Sequence, residues 1–131
     1  MILVDTNIIL DIFENDHTWG PWSARQLDQN ESSGLSINSM IYAELGPSSK
    51  SQRDLDAKLS PMGFKYLEVP RTALFRASQA YFDYRKNKGT RDSLLPDFFI
   101  GAHAEVAKLT IITRDPRRYR RYFPNVRLIT P

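Results

Sequence analysis

Four acidic side chains fall at positions where a strand–helix chain concentrates its chemistry. Asp5 directly follows the apolar run Ile2-Leu3-Val4, with Thr6 and Asn7 next to it. Asp115 comes just after the run at 110–113, which ends on Thr113. Glu44 lies one to two helical turns beyond the run at 35–37, and Asp97 follows Pro96 in the first turn of a helix candidate. Ligands of open α/β sheets bind outside the carboxyl ends of the strands. The spacing therefore predicts that Asp5, Glu44, Asp97 and Asp115 meet at one sheet edge from four distant points in the chain.

Carboxylates gathered a few ångströms apart repel one another, and either a proton or a cation must relieve them. Hard oxygen donors select Mg²⁺ or Mn²⁺, held directly or through water. A metal so placed lowers the pKa of bound water, polarises a phosphoryl oxygen and orients an in-line displacement. The chemistry implied is metal-assisted phosphodiester hydrolysis, with Thr6, Asn7 and Thr113 as neutral groups that orient water. Each acid also has an ordinary reading. Asp5 suits a helix N-cap, Glu44 a solvated helix face, Asp97 a helix dipole and Asp115-Pro116 a turn. Their conjunction at strand ends favours the site.

The elements that must position these acids are legible as patterns. Continuous apolar runs at 2–4, 35–37, 66–69 and 110–113, with 126–129 as a fifth, suit strands covered on both faces. Helical spacing occupies 7–14, 22–29, 40–45, 51–59, 72–88 and 96–108, and Gly46-Pro47 stops the third. In 72–88 the pattern predicts an apolar face of Leu74, Phe75, Ala77, Ser78, Tyr81, Phe82 and Arg85. In 96–108 it predicts Phe99, Ile100, His103, Ala104 and Ala107. Strand–helix alternation throughout argues an α/β fold with a mostly parallel sheet of four to five strands.

Composition narrows the classes further. The 131 residues suit one domain over 1–131, and the absence of cysteine excludes disulfides, thiolate catalysis and zinc fingers. Asp5 and Asp11 interrupt the opening apolar residues, so neither a signal peptide nor a spanning helix is expected, and a cytoplasmic protein without a membrane partner is the default. The net charge of +3 is unevenly spread. Residues 1–47 carry seven acids and one base, whereas 113–131 carry six arginines and Asp115 alone. Lys86, Lys88 and Arg91 precede the Asp97 segment, and Arg114, Arg117 and Arg118 follow the fourth strand. These cations are expected to attract polyanionic phosphates, RNA among them, unless they form solvated helix faces or pair with surface acids. Tyr119, Tyr122 and Phe123 lie among the arginines, either stacking on bases or buried against the sheet. His103 reads as a packed histidine. Of Trp19 and Trp22, one is expected in the core and one in a partner groove.

These residues resemble the PIN (PilT N-terminus) nuclease domain, and within it the VapC-type toxins of bacterial toxin–antitoxin pairs. The resemblance rests on Ile2-Leu3-Val4-Asp5-Thr6-Asn7-Ile8, Ile41-Tyr42-Ala43-Glu44, Leu95-Pro96-Asp97-Phe98-Phe99-Ile100-Gly101-Ala102-His103-Ala104 and Thr113-Arg114-Asp115-Pro116. It implies a three-layer α/β/α domain and a catalytic, metal-binding quartet of Asp5, Glu44, Asp97 and Asp115, the fourth position being the family's most variable. It also implies an Mg²⁺- or Mn²⁺-dependent endoribonuclease, commonly a homodimer, neutralised by a small antitoxin of a type II pair. The alternatives are a catalytically silent RNA-binding module and a metal-dependent nuclease outside any toxin–antitoxin system. Asn7 stands where a haloacid-dehalogenase phosphatase would carry a second aspartate, which argues against that class.

Overall fold

The computed structural model describes residues 1–87 and 95–131. Five strands form one sheet: β1 (Ile2–Val4), β2 (Leu35–Asn38), β3 (Lys65–Leu67), β4 (Thr110–Ile112) and β5 (Leu128–Ile129). Their order is β3-β2-β1-β4-β5 and every pairing is parallel. The central strand β1 is wholly buried, as are Ile111 and Ile112 beside it. That is why these strands are continuously apolar in sequence.

Among the described residues seven α-helices flank the sheet: α1 (Thr6–Phe13), α2 (Gly20–Asn30), α3 (Ser39–Leu45), α4 (Gln52–Leu59), α5 (Arg71–Lys86), α6 (Leu95–Ala107) and α7 (Arg117–Tyr122). The caps follow local chemistry. Asp5 caps α1 by accepting from the Thr6 amide, and Asn38 caps α3 by accepting from Met40 and Ile41. The Ser51 hydroxyl accepts from Asp54 at the start of α4. Among the described residues no helix is long and apolar enough to cross a membrane.

The sheet and six of the helices lie where the sequence pattern puts them, to within a few residues at the ends. Four expectations need correction, the first at β3, where Lys65 and Tyr66 are exposed rather than covered on both faces. α7 is absent from the pattern because Arg117-Arg118-Tyr119-Arg120-Arg121-Tyr122 is short and two-thirds arginine, and the i, i+3, i+4 spacing of Tyr119, Tyr122 and Phe123 is too brief to mark a helix. It is anchored instead by tertiary burial of Tyr119. On α5 the predicted apolar face holds only in part. Ala77 and Tyr81 face inward as expected, but Leu74, Phe75, Ser78, Phe82 and Arg85 are exposed, and Ala73, Ala80 and Tyr84 take their place against the core. Small side chains let α5 approach α6 closely, and the ring of Phe98 from α6 lies 5.4 Å from those of both Tyr81 and Tyr84. On α6 the inward residues are Phe98, Ile100, Gly101, Ala102, His103 and Ala104; Phe99 is half-buried and Ala107 is exposed.

Candidate active site

Asp5 is both the cap and the floor of a pocket. Its backbone amide donates to Ile112 of β4 at 3.0 Å, fixing it where β1 and β4 end. One carboxylate oxygen, Oδ1, accepts from the Thr6 amide at 2.8 Å. The other, Oδ2, accepts from Thr113 Oγ1 at 2.7 Å, Tyr119 OH at 3.0 Å and, more weakly, Asn7 Nδ2 at 3.4 Å. Burial raises the Asp5 pKa above the usual carboxylate value, and the Thr113, Tyr119 and Thr6 donors oppose that rise. The same burial, followed by the charge of Asp5, holds the Tyr119 phenol protonated well above its ordinary range.

The other acids arrive on three further elements. Glu44 stands in the last turn of α3, half-buried, and its Oε1 accepts a 2.6 Å bond from Thr6 Oγ1. Burial raises its pKa, and the Thr6 hydroxyl opposes. Asp97 occupies the first turn of α6, where Arg118 Nη1 donates to its Oδ2 at 3.1 Å. Burial and then the charge of Asp5 push Asp97 up to about 7, against the pull of Arg118. Asp115 is the most exposed of the four, 3.9 Å from Arg117 Nε, and its amide donates to Thr113 Oγ1 at 3.0 Å. Asp5, Glu44, Asp97 and Asp115 together line one cavity of about 210 Å³ with Thr6, Asn7 and Leu10.

Thr6, Asn7 and Thr113 act here chiefly as braces. Thr113 Oγ1 donates to Asp5 while accepting from the Asp115 amide and, at 3.3 Å, from Asn7 Nδ2. Asn7 Oδ1 in turn accepts from the Arg114 amide at 3.1 Å. These bonds join the ends of β1 and β4 and set the relative positions of Asp5 and Asp115.

The donor set fits a hard divalent cation. Glu44 Oε2 and Asp97 Oδ1 are not used by the bonds described above, and the surrounding donors are oxygens. Among the described residues, however, no three acidic or histidine side chains are gathered closely enough to hold one ion by direct contact. Such a pocket matches an ion that keeps several waters and takes one or two carboxylates, which is the habit of Mg²⁺.

The cations expected around the pocket separate into distinct groups. Arg118 reaches the acids, and Arg117 lies at the rim, strongly exposed. Arg114 is engaged elsewhere: its guanidinium makes a bidentate pair with buried Asp11, at 2.7 and 2.9 Å, and lies over the Trp19 ring. Lys86 is exposed in the last turn of α5 and does not line the acidic cavity. Lys88 and Arg91 lie outside the described residues. Tyr119 and Phe123 are buried rather than presented for stacking, and Tyr122 packs against Phe98. Trp19 and Trp22 are both half-buried, edge to face. His103 is packed, its Nδ1 within 3.0 Å of Asn38 Nδ2, and burial lowers its pKa.

Tyr119, Arg118 as the partner of Asp97, and the Asp11–Ser23–Arg114 cluster escape a reading of the sequence. Asp11 Oδ2 also accepts from Ser23 Oγ at 2.6 Å, so one carboxylate ties α1 to α2 and to the loop that carries Asp115. Asp11→Ala is expected to lower stability by about 2–3 kcal/mol, because it strands a partly buried guanidinium. The reading is the urea midpoint; a shift equivalent to less than about 0.5 kcal/mol, the usual size for a neutral surface change, would contradict this role.

The family model described as PIN domain matches residues 2–124. A VapBC2 complex from Rickettsia felis, bound to a DNA fragment from its promoter, is similar in fold. Its TM-score is 0.76 at 19% identity, over 100% of this chain and 99% of that one. A DNA-bound VapBC from Salmonella typhimurium aligns at TM-score 0.71 and 18% identity, over 98% and 96% of the two chains. FitAcB from Neisseria gonorrhoeae gives 0.70 and 21%, again over 98% and 96%. No curated protein sequence matches the chain.

Proposed function

The chain belongs to the PIN domain family of nucleases, and from that premise we propose that it is a metal-dependent endoribonuclease, the toxin of a type II toxin–antitoxin pair. The observation that carries the reading is one cavity lined by Asp5, Glu44, Asp97 and Asp115, each delivered by a different segment of the fold. A resident Mg²⁺ or Mn²⁺ would supply a more acidic coordinated water and charge relief at the phosphoryl oxygen. Glu44 and Asp97 are best placed to hold it, with Asp5 and Asp115 acting through water.

The chain's own contribution is preorganisation. Thr6 fixes the Glu44 carboxylate, and Thr113 and Tyr119 fix that of Asp5. Arg118 sets the orientation of Asp97. Arg117 at the rim and the exposed Lys86 add to the field that attracts RNA, as do Lys88 and Arg91 in the sequence. The antitoxin partner is supported by the fold shared with VapBC and FitAcB complexes. The exposed Leu74, Phe75 and Phe82 of α5 offer apolar surface to a protein partner, a second copy of the chain in a homodimer included.

Incubating the chain with structured RNA and Mn²⁺ or Mg²⁺ tests the proposal. Internal cleavage that stops in chelator and returns with added metal is the expected result. Cleavage that persists undiminished in chelator would sink the metal-dependent reading. RNA retention without product, falling steeply with salt, would instead identify a binding module.

A further inference from the structure

Three consecutive residues in the first turn of α7 each touch a different acid of the pocket. Arg117 approaches Asp115 at 3.9 Å, Arg118 bonds Asp97 at 3.1 Å and Tyr119 bonds Asp5 at 3.0 Å. Of the three, Tyr119 is a fixed anchor: it is buried, and its hydroxyl is committed to Asp5. The backbone on its N-terminal side is therefore held against the pocket, and Arg118 begins from a set position.

The arginines near the site are not equivalent. Arg114 is consumed by Asp11 and Trp19. Arg76 is consumed by Glu105 and the Tyr122 carbonyl. Arg117 is almost fully exposed, with 88% of its side chain open to solvent and no bond that orders it. Among the described residues Arg118 alone combines order with proximity to the acids: its side chain is 18% exposed, and Asp97 is its one hydrogen-bonding partner there. A guanidinium has five N–H donors in a rigid fork that matches the paired oxygens of a phosphate. Nη1 makes the one bond to Asp97, which leaves donors on the same planar group for an incoming anion.

We propose that Arg118 holds the scissile phosphodiester of the RNA, its guanidinium aimed by Asp97 and its backbone fixed by the buried Tyr119. This assignment rests on the nuclease reading and adds to it the side chain that receives the reacting group. A phosphate entering a pocket of four carboxylates needs a cation beside its non-bridging oxygens. Arg118 is the ordered side chain that supplies one. The contact strengthens as charge builds on those oxygens, so its loss falls on the chemical step as well as on binding.

The test pairs single-turnover cleavage, at saturating RNA and Mn²⁺, with Mn²⁺ affinity read by electron paramagnetic resonance on the RNA-free protein. In Arg118→Gln the cleavage rate is expected to fall roughly 100-fold, while Mn²⁺ affinity changes by less than about threefold. Arg118→Lys is expected to recover only part of the rate, because an ammonium lacks the fork. Cleavage by Arg118→Gln at the wild-type rate overturns the assignment. So does a loss of Mn²⁺ affinity in step with the rate, which would make Arg118 a support for Asp97 only. If Arg118→Gln fails to fold, Arg118→Lys decides, and wild-type cleavage by it counts against the phosphate role. A wild-type chain that cleaves no RNA overturns the nuclease reading and this assignment together; cleavage lost only in the variants separates the two.

Discussion

Asp97→Asn is expected to remove RNA cleavage and, in the same protein, to raise thermal stability above neutral pH. The first effect follows from the carboxylate's place in the pocket. Asparagine keeps the size and one acceptor oxygen but has no charge to hold a divalent ion, so a fall of about 10³-fold or more in rate is expected. The second effect comes from burial. Folding raises the affinity of Asp97 for its proton from an ordinary carboxylate value to about 7. The folded chain therefore binds that proton more tightly than the unfolded chain. The contribution is fully favourable below about pH 4 and is lost as the pH rises to about 7.

At pH 8 the wild-type chain therefore bears an ionised, largely buried carboxylate at a cost on the order of 2–4 kcal/mol, the favourable pull of Arg118 already included. Asparagine removes the charge, but it also removes the ion pair with Arg118. The net gain is expected to be about 1–2 kcal/mol, or roughly 3–8 °C in Tm. Melting curves at pH 5 and pH 8 in chelator provide the measurement. The variant is expected to exceed wild type at pH 8 and to lose most of that lead at pH 5. Added Mn²⁺ is expected to raise the wild-type Tm more than that of the variant, since a ligand stabilises the state that binds it. A variant less stable than wild type at pH 8 would contradict the electrostatic account.

Gly101→Ala is expected to destabilise the chain by about 2–3 kcal/mol, although helix propensity alone predicts a gain of about 0.5–1 kcal/mol at a mid-helix glycine. A methyl group at Gly101 would overlap Phe123 Cδ2 and lie only 2.5 Å from Phe123 Cε2. That ring has little room to withdraw. It is 2% exposed, its centroid is 6.3 Å from that of Phe98, and the Arg76 guanidinium covers it at 5.1 Å. Phe123 directly follows α7, so displacing it also disturbs Arg118 and Tyr119 against their acids. Urea unfolding is expected to show a lower midpoint, and cleavage is expected to fall even where the variant remains folded. A midpoint equal to or above wild type would show that the core yields at this point.

The parallel sheet and its row of acids are readable in the sequence because each signal is local. A continuous apolar run marks a buried strand, and a polar residue immediately after it marks the sheet edge. What escapes depends on distance. Asp11 looks like one more acid in an acidic stretch until Arg114, 103 positions later, closes on it. Tyr119 looks like an aromatic among arginines until its hydroxyl meets Asp5. α5 misleads in part for a different reason: hydrophobicity favours Phe75 and Phe82 as core alongside Ala77, whereas close approach to α6 selects Ala73 and Ala80 with it. Packing there is decided by size, which a count of apolar residues does not register.

The pairing of β1 with β4 has a consequence for how the protein comes into being. The strand made first finds one of its two neighbours only when residues 110–112 exist, and Asp5 finds its Tyr119 bond later still. Such long-range pairing slows folding, and synthesis proceeds from the N-terminal side. Three of the four acids are thus translated before the segment that organises them. The pocket as it stands in the folded chain is therefore complete only once α7 has been made, because Tyr119 and Arg118 supply its bonds to Asp5 and Asp97.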